Sequence, residues 1–190
     1  MNRLILSLLL ATAACQQPQA AEPPLAGARI GGPFRLVNQD GGPATEHDLL
    51  GRYSIVYFGY TFCPDACPTD MGVIAAGLKQ VEKSDPAKAA KVTPVFVTVD
   101  PERDTPSVVK QFVRAFHPRA VGLTGSRAAI DAAAKAYGVA HGVGEKTAGG
   151  YLVDHSRAAY LMGPDGKPIA LAGADGGPAE VARTIERWVT

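Results

Sequence analysis

Two cysteines separated by three residues, Cys63 and Cys67, are the side chains of this sequence best suited to chemistry. They follow the β-branched and aromatic run 53–60 and precede a stretch with helical periodicity, so we expect them where a buried strand gives way to a helix. A helix N-terminus favours a thiolate over a thiol, and Pro68 fits the first helical turn. The spacing therefore predicts two close, activated thiolates, suited to a reversible disulfide or to a soft metal ion.

The chemistry of two thiolates limits which metal the pair would bind. Thiolates favour Cu(I), zinc and iron–sulfur clusters. The sequence holds only one further cysteine, so no cluster can be completed, and a structural zinc ion commonly has four ligands. One added histidine would give a three-coordinate site that suits copper. A disulfide that only staples the fold is the structural alternative, and a helix start flanked by prolines is a poor place for one.

Four histidines are available to supply a nitrogen ligand. Three of them are expected on the surface of a short helix, at a helix end and in the glycine-rich loop 138–150, respectively: His47, His117 and His141. The fourth, His155, directly precedes a predicted strand that would face the cysteine loop in a thioredoxin-like sheet. Asp154 or a backbone carbonyl would then fix its ring tautomer. Spacing alone leaves His155 a candidate and does not single it out.

The residues after His155 bear on the choice between metal binding and redox chemistry. Thioredoxin-type oxidoreductases place a cis-proline opposite their cysteine pair, whereas Ser156 and Arg157 stand here. The substrate clamp of those enzymes is therefore missing, and a nitrogen ligand stands near its place. This favours metal binding over disulfide exchange.

Hydrophobic periodicity predicts the elements that must position these side chains. Strands are predicted at 34–37, 53–60, 92–99, 157–162 and 167–172. Helices are predicted to begin near 45, 68, 105, 126 and 178, the first of them short. This order predicts an α/β, thioredoxin-like fold, with a central mixed sheet, helices on both faces and an N-terminal β extension.

Composition and the N-terminus indicate the class and location of the protein. The 190 residues are 46% hydrophobic with a net charge of +1, typical of one globular domain and unlike a nucleic-acid-binding surface. Residues 1–14 are typical of a signal peptide, and Cys15 follows small residues as in a bacterial lipoprotein. We expect a lipidated Cys15, a flexible tether over 15–30, and a domain over 31–190 held on a membrane and facing the periplasm. The alternative is ordinary signal-peptidase cleavage further along, which would discard Cys15.

Five sequence blocks carry a resemblance to a known family. The block 57–68, YFGYTFCPDACP, closely resembles the signature of the Sco/SenC family. Four further blocks resemble that family in its order: 97–105, 121–125, 153–156 and 160–166. The resemblance extends over roughly 31–188, nearly the whole predicted domain.

The resemblance implies a function and a ligand set. Sco/SenC proteins have a thioredoxin-like fold, bind copper and help to assemble the binuclear CuA centre of cytochrome c oxidase. The copper ligands would correspond to Cys63, Cys67 and His155, holding Cu(I) and, as a second state, Cu(II). The implied partner is the CuA-bearing oxidase subunit or another copper acceptor. Many members have an N-terminal transmembrane helix, so the predicted lipid anchor at Cys15 is a departure.

Two questions stay open at the level of sequence. A thiol–disulfide oxidoreductase that keeps the oxidase cysteines reduced is the rival function, with peroxide reduction as a variant and a purely partner-binding domain as a third reading. The acidic loop 100–104 is either a docking surface or second shell, through Asp100 and Asp104, or a local helix-capping arrangement in which Arg103 pairs nearby.

Overall fold

The computed structural model describes residues 21–147 and 150–190. The predicted signal peptide, Cys15 and the first part of the predicted tether lie outside these residues. No helix within the described residues is both long and apolar enough to cross a membrane.

In the part of the chain that the structure describes, nine strands form a seven-stranded mixed sheet and a separate two-stranded hairpin. They are β1 (Arg35–Asn38), β2 (Pro43–Thr45), β3 (Tyr53–Gly59), β4 (Val92–Thr98), β5 (Val121–Thr124), β6 (His141–Thr147), β7 (Gly150–His155), β8 (Ala159–Met162) and β9 (Pro168–Leu171). The large sheet has the order β2-β1-β5-β4-β3-β8-β9, and β6 pairs with β7 alone. Strands β3, β4 and β5 are parallel, whereas the outer strands are antiparallel to their neighbours.

Among the described residues, five α-helices cover the sheet. They are α1 (Ala66–Ser84), α2 (Pro86–Ala90), α3 (Pro106–Phe116), α4 (Arg127–Ala136) and α5 (Pro178–Trp188). Helices α3 and α5 pack beside α1 on one face, and α4 packs against β1 on the other. The predicted helix near 45 is a 3-10 turn at Glu46–Leu49. The predicted fold class, with helices on both faces and a β extension at one edge, is thus confirmed.

The centre of the sheet is apolar on both sides, as the β-branched run 53–60 predicts. Every residue of β3 and β4 is buried. Tyr57 faces α1, where its hydroxyl meets Asp70, whereas Phe58 packs on the opposite face against Tyr137, with ring centroids 5.3 Å apart. Because parallel strands end at the same edge, the loops that follow β3 and β4 lie side by side.

Strands β2, β5, β6 and β7 and the short helix α2 correct the predicted order of elements, and His155 ends β7 instead of directly preceding a strand. Strand β5 was not expected, since it has only four residues and contains Gly122. The segment 138–150, expected to be a glycine-rich loop, instead contains all of β6 and the first residue of β7, the strand that ends at His155. Paired backbone groups hold this segment extended despite its glycines.

Candidate metal centre

The junction between β3 and α1 brings the two cysteines to one place but in different environments. Cys63 lies in the connecting loop and is partly exposed, whereas Cys67 lies in the first turn of α1 and is fully buried. Gly59, the last residue of β3, permits this burial. A Cβ at that position would lie 3.0 Å from Cys67 Sγ and 2.9 Å from the Tyr57 ring.

Cys63 is the activated thiol. Burial alone would raise its pKa, but hydrogen bonds outweigh that effect and hold the pKa of Cys63 below its usual value of 9.0. The donors are backbone N–H groups of the helix start, among them that of Cys67, which lies 3.4 Å from Cys63 Sγ. This is the effect expected at a helix N-terminus.

Cys67 is not activated in the metal-free protein, so the prediction of two activated thiolates is wrong for this residue. Burial and, to a smaller extent, the neighbouring Cys63 raise the pKa of Cys67 to about 12. An uncharged sulfur is the stable form in a buried position beside another thiolate. Two adjacent thiolates repel each other, so both are stable together only when a cation lies between them.

His155, at the end of β7, directs its unprotonated ring nitrogen at the sulfur of Cys67. Its Nδ1 lies 3.0 Å from the Ser156 carbonyl oxygen, which can only accept, so Nδ1 carries the proton. The free Nε2 lies 3.1 Å from Cys67 Sγ. Burial lowers the pKa of His155, so the neutral form, which has a lone pair for a metal ion, is favoured. Tyr57 and Tyr60 hold the ring edge-on, with centroids 6.1 and 5.9 Å away.

The group that fixes the histidine tautomer is therefore a backbone carbonyl. The sequence left this role open between such a carbonyl and Asp154. The Asp154 side chain is exposed on β7, and Ser156 supplies the acceptor.

Asp100 and Asp104 are both fully buried, so a partner cannot touch them in this conformation. Each instead anchors one half of the site. Asp104 accepts hydrogen bonds from the Thr61 backbone N–H at 3.0 Å and hydroxyl at 2.6 Å, which fixes the start of the cysteine loop. Asp100 accepts from the Tyr151 hydroxyl at 2.7 Å and pairs with Arg103, which fixes the strand that carries His155.

Arg103 joins the cysteine loop to the hairpin through aromatic rings. Its guanidinium carbon lies 3.8 Å from the Tyr151 ring centroid, 5.1 Å from that of Phe62 and 5.6 Å from that of Tyr60. The local pairing of Arg103 with Asp100 follows from the sequence, but the stack does not, because Tyr151 is distant in the chain. Phe62, beside Cys63, is 54% exposed and forms the outer rim of the site.

The other three histidines lie away from the cysteines or have other partners. His47 is exposed, as predicted, with 77% of its side chain accessible. His117 is buried and bonded to Glu82 at 3.1 Å. His141 faces Asp131 at 3.4 Å from its position opposite His155 in the hairpin.

The donor set, two sulfurs and one ring nitrogen, fits a soft metal ion. Within residues 21–147 and 150–190, no three His, Cys, Asp or Glu side chains stand where they would hold a metal ion as they are. Cys67 and His155 already converge, whereas the Cys63 sulfur accepts the Cys67 N–H.

Comparison with known proteins identifies relatives of the whole described domain. The SCO1/SenC family model matches residues 22–190. "Protein SCO1 homolog 1, mitochondrial" from Arabidopsis thaliana is 45% identical over 145 residues, which are 76% of this chain and 42% of that protein. The chain spans about half the length of the first curated relatives it matches.

Solved structures of Sco proteins are also similar to this chain. The Arabidopsis thaliana ScoI crystal structure with copper bound has a TM-score of 0.78 at 38% identity, over 83% of this chain and 97% of that one. BsSco, described as a member of the Sco family of cytochrome c oxidase assembly proteins and as containing a disulfide switch, has a TM-score of 0.65 at 26% identity, over 90% of this chain and 98% of that one. With its cysteine loop and facing histidine on such a scaffold, this chain belongs to the SCO1/SenC family.

Proposed function

We propose that this protein is a copper chaperone that binds copper through Cys63, Cys67 and His155 and delivers it to the CuA centre of cytochrome c oxidase. The observation that carries the proposal is the 3.1 Å approach of His155 Nε2 to Cys67 Sγ, with the other ring nitrogen held by a backbone carbonyl. A hydrogen bond from the second ring nitrogen to such an acceptor orients metal-ligating histidines. Copper-bound relatives with the same fold support copper as the cargo.

The unequal cysteines suggest an order of events for loading and release. Cys63 is the accessible thiolate, so it meets incoming copper first and turns toward the site with it. The positive charge then favours loss of the Cys67 proton, which burial otherwise opposes. Release runs in reverse, because Cys63 lies in a loop at the surface where a ligand of the acceptor can replace it. Copper is then never free in solution.

The proposed location follows from the N-terminus. Signal cleavage after residue 14 would leave Cys15 to carry lipid, and residues 16–30 would connect the anchor to the domain. Such a protein would face the periplasm of a bacterial cell envelope, where the CuA-bearing subunit exposes its metal site. Radiolabelled fatty acid incorporation that is lost in Cys15→Ser would support this location, and unchanged incorporation would contradict it.

Copper transfer to the acceptor tests delivery directly. Copper-loaded protein is mixed with the copper-free, reduced CuA domain of the oxidase, and the absorption of the CuA centre is followed. We expect the centre to form with the wild type and not with Cys63→Ser. Failure of the loaded wild type to form it would contradict delivery while leaving copper binding intact.

A thiol–disulfide oxidoreductase is the second candidate, and the asymmetry of the pair supports it. Cys63 has the exposure and lowered pKa of an attacking thiolate, whereas Cys67 is buried behind it as a resolving thiol would be. Cys63 would attack a disulfide of the partner, and Cys67 would release the mixed disulfide. The partner would leave as a dithiol and this protein as a Cys63–Cys67 disulfide. Undiminished reduction of a disulfide substrate by His155→Ala, with no copper transfer by the wild type, would favour this function.

A further inference from the structure

An ion pair outside the proposed ligand set joins the two segments that carry those ligands. Asp70 lies one helical turn after Cys67 on α1, and Arg157 lies two residues after His155. The Arg157 Nη2 donates to Asp70 Oδ1 at 2.7 Å and its Nε to Oδ2 at 3.0 Å. Such a two-point contact fixes orientation as well as distance.

The carboxylate in this pair is buried and fully engaged. The Asp70 side chain is 3% exposed, whereas that of Arg157 is 55% exposed and covers it from the solvent side. Asp70 Oδ2 also accepts the Tyr57 hydroxyl at 2.8 Å, and Tyr57 lies edge-on to His155. A buried carboxylate is held firmly to its partners, because leaving it unpaired costs far more than an exposed pair would gain.

The hairpin that carries His155 needs such a contact. Strands β6 and β7 pair only with each other, so no backbone ladder ties them to the large sheet. Their position relative to α1 therefore depends on side-chain contacts and on two short connections, 137–140 from α4 and 156–158 to β8. The latter connection contains the Ser156 carbonyl that fixes the histidine tautomer.

We propose that Asp70 and Arg157 are positioning residues that hold His155 against Cys67. The pair fixes the connection 156–158 on α1, and so sets both the place of the imidazole and the acceptor of its Nδ1 proton. This inference rests on the proposed copper site, to which neither residue supplies a ligand. Their loss weakens the bond between copper and His155 in particular, and leaves the two sulfurs in place.

The first test compares copper binding in purified protein variants. Cu(I) affinity is measured by competition with a chromophoric chelator, and nitrogen coordination by the nitrogen coupling in the Cu(II) electron paramagnetic resonance spectrum. Arg157→Ala is expected to lower Cu(I) affinity about 10- to 100-fold, the range typical of outer-shell groups, and to weaken the nitrogen coupling. Arg157→Lys keeps the charge but loses the two-point contact, so it recovers only part of the affinity.

The matched control breaks a similar ion pair elsewhere. Arg119 donates to Glu82 at 2.7 Å, and Glu82 lies on α1 about 20 Å from Cys67 at 1.5 Å per residue. Arg119→Ala is expected to keep wild-type copper affinity. An equal loss in Arg119→Ala and Arg157→Ala would overturn the proposal, because it would show a general loss of stability.

A second variant removes the risk that an unpaired buried charge unfolds the protein. Asp70→Asn combined with Arg157→Ala leaves no charge, and the amide oxygen still accepts the Tyr57 hydroxyl. We expect copper affinity as low as in Arg157→Ala, with thermal stability closer to that of the wild type. Wild-type affinity in this double variant would contradict the proposal.

A double-mutant cycle identifies the residue through which Arg157 acts. If the arginine acts through His155, Arg157→Ala causes no further loss of Cu(I) affinity in a His155→Ala background. Full additivity of the two losses would overturn the proposal.

A metal-free measurement separates this inference from the copper proposal. Amide hydrogen exchange in the segment 150–158 of the copper-free protein should be faster in Arg157→Ala and unchanged in Arg119→Ala. Unchanged exchange would overturn the positioning role whether or not the protein binds copper. A wild type that binds no copper, with faster exchange in Arg157→Ala, would overturn the copper site and the part of this inference that concerns copper.

Discussion

At the scale of single residues, the site consists of two sulfurs of opposite character and one nitrogen of defined tautomer. Backbone N–H groups lower the pKa of Cys63, and burial raises that of Cys67 to about 12. Without a bound cation, Cys63 favours the thiolate form and Cys67 the thiol form. A soft cation between them would favour the thiolate form of both. His155 supplies the lone pair that faces the buried sulfur.

This asymmetry predicts how the reduced protein reacts with iodoacetamide. At pH 7.5 Cys63 should be alkylated at least about tenfold faster than Cys67, because the gain in thiolate exceeds the loss of nucleophilicity at lower pKa. Peptide mass spectrometry after timed quenching measures both rates. Cys63→Ser serves as the control and should leave Cys67 slow. Equal rates in the wild type would contradict the assigned environments.

The residue types of the site follow from the sequence, but their environments do not. The spacing from Cys63 to Cys67 predicts a pair at a helix start, and a resemblance in sequence singles out His155. The burial of Cys67 depends on Gly59 and the rings around it, which no local pattern reveals. The contact between Asp70 and Arg157 joins residues 87 positions apart.

At the scale of elements, the site exists because the loops after β3 and β4 meet the β6–β7 hairpin at one edge of the sheet. The loop after β3 carries Cys63 and is anchored at Thr61 by Asp104. The loop after β4 supplies Asp100 and Arg103, which hold the hairpin through Tyr151. Hydrogen bonds to buried aspartates thus hold these elements together.

The close approach of α1 to β3 predicts the effect of one added methyl group. Gly59→Ala would place a Cβ within 3.1 Å of Tyr57, Cys67 and Phe96, so it should cost about 1–3 kcal/mol of unfolding free energy by overpacking. It should also lower copper uptake, because Cys67 must shift. Urea denaturation and copper titration measure the two effects.

Gly142→Ala is the matched control for that change. Gly142 lies on β6 with open space where its Cβ would stand, so the variant should stay within about 0.5 kcal/mol of the wild type. Equal stability of Gly59→Ala and Gly142→Ala would contradict the described packing.

Local pattern predicts the long elements of this fold and misses those that depend on packing. The runs that become β3, β4, α1, α3 and α5 have a clear period and clear ends. Strand β5 contains Gly122, which is required because a Cβ there would lie 2.2 Å from Val109 of α3. Strand β6 contains Gly142 and Gly144 and is extended only because β7 pairs with it.

At the scale of the whole molecule, α1 links the site to a buried histidine at its far end. His117, expected at a helix end, is buried there, and its neutral form is favoured. Its Nδ1 accepts the Arg119 backbone N–H at 3.1 Å, and its Nε2 donates to Glu82. Burial lowers the pKa of His117 despite the nearby carboxylate.

This burial predicts the direction of the pH dependence of stability. Because the unfolded chain binds a proton near pH 6.5 more readily than the folded one, the stabilising contribution is complete above that pH. It is lost as the pH falls toward the lower folded pKa, at no more than about 1.4 kcal/mol per pH unit for one proton. Urea denaturation of copper-free protein between about pH 5 and 7 measures the slope.

Two variants separate His117 from the rest of the chain. His117→Gln should flatten the profile, and His47→Gln, at an exposed site, should leave it unchanged. A profile in His117→Gln as steep as that of the wild type would contradict the neutral, buried state of His117.

Copper stoichiometry, together with the absorption spectrum, tests the central claim most directly. The fully reduced protein is compared with His155→Ala and with His141→Ala, which lies opposite in the same hairpin and pairs with Asp131. We expect about one tightly held copper per chain in the wild type and in His141→Ala, whereas His155→Ala should bind copper too weakly to retain it on desalting and should lose the spectrum. Wild-type copper content in His155→Ala would contradict the proposed ligand set, and absence of copper from the reduced wild type would leave the cysteine pair with redox chemistry alone.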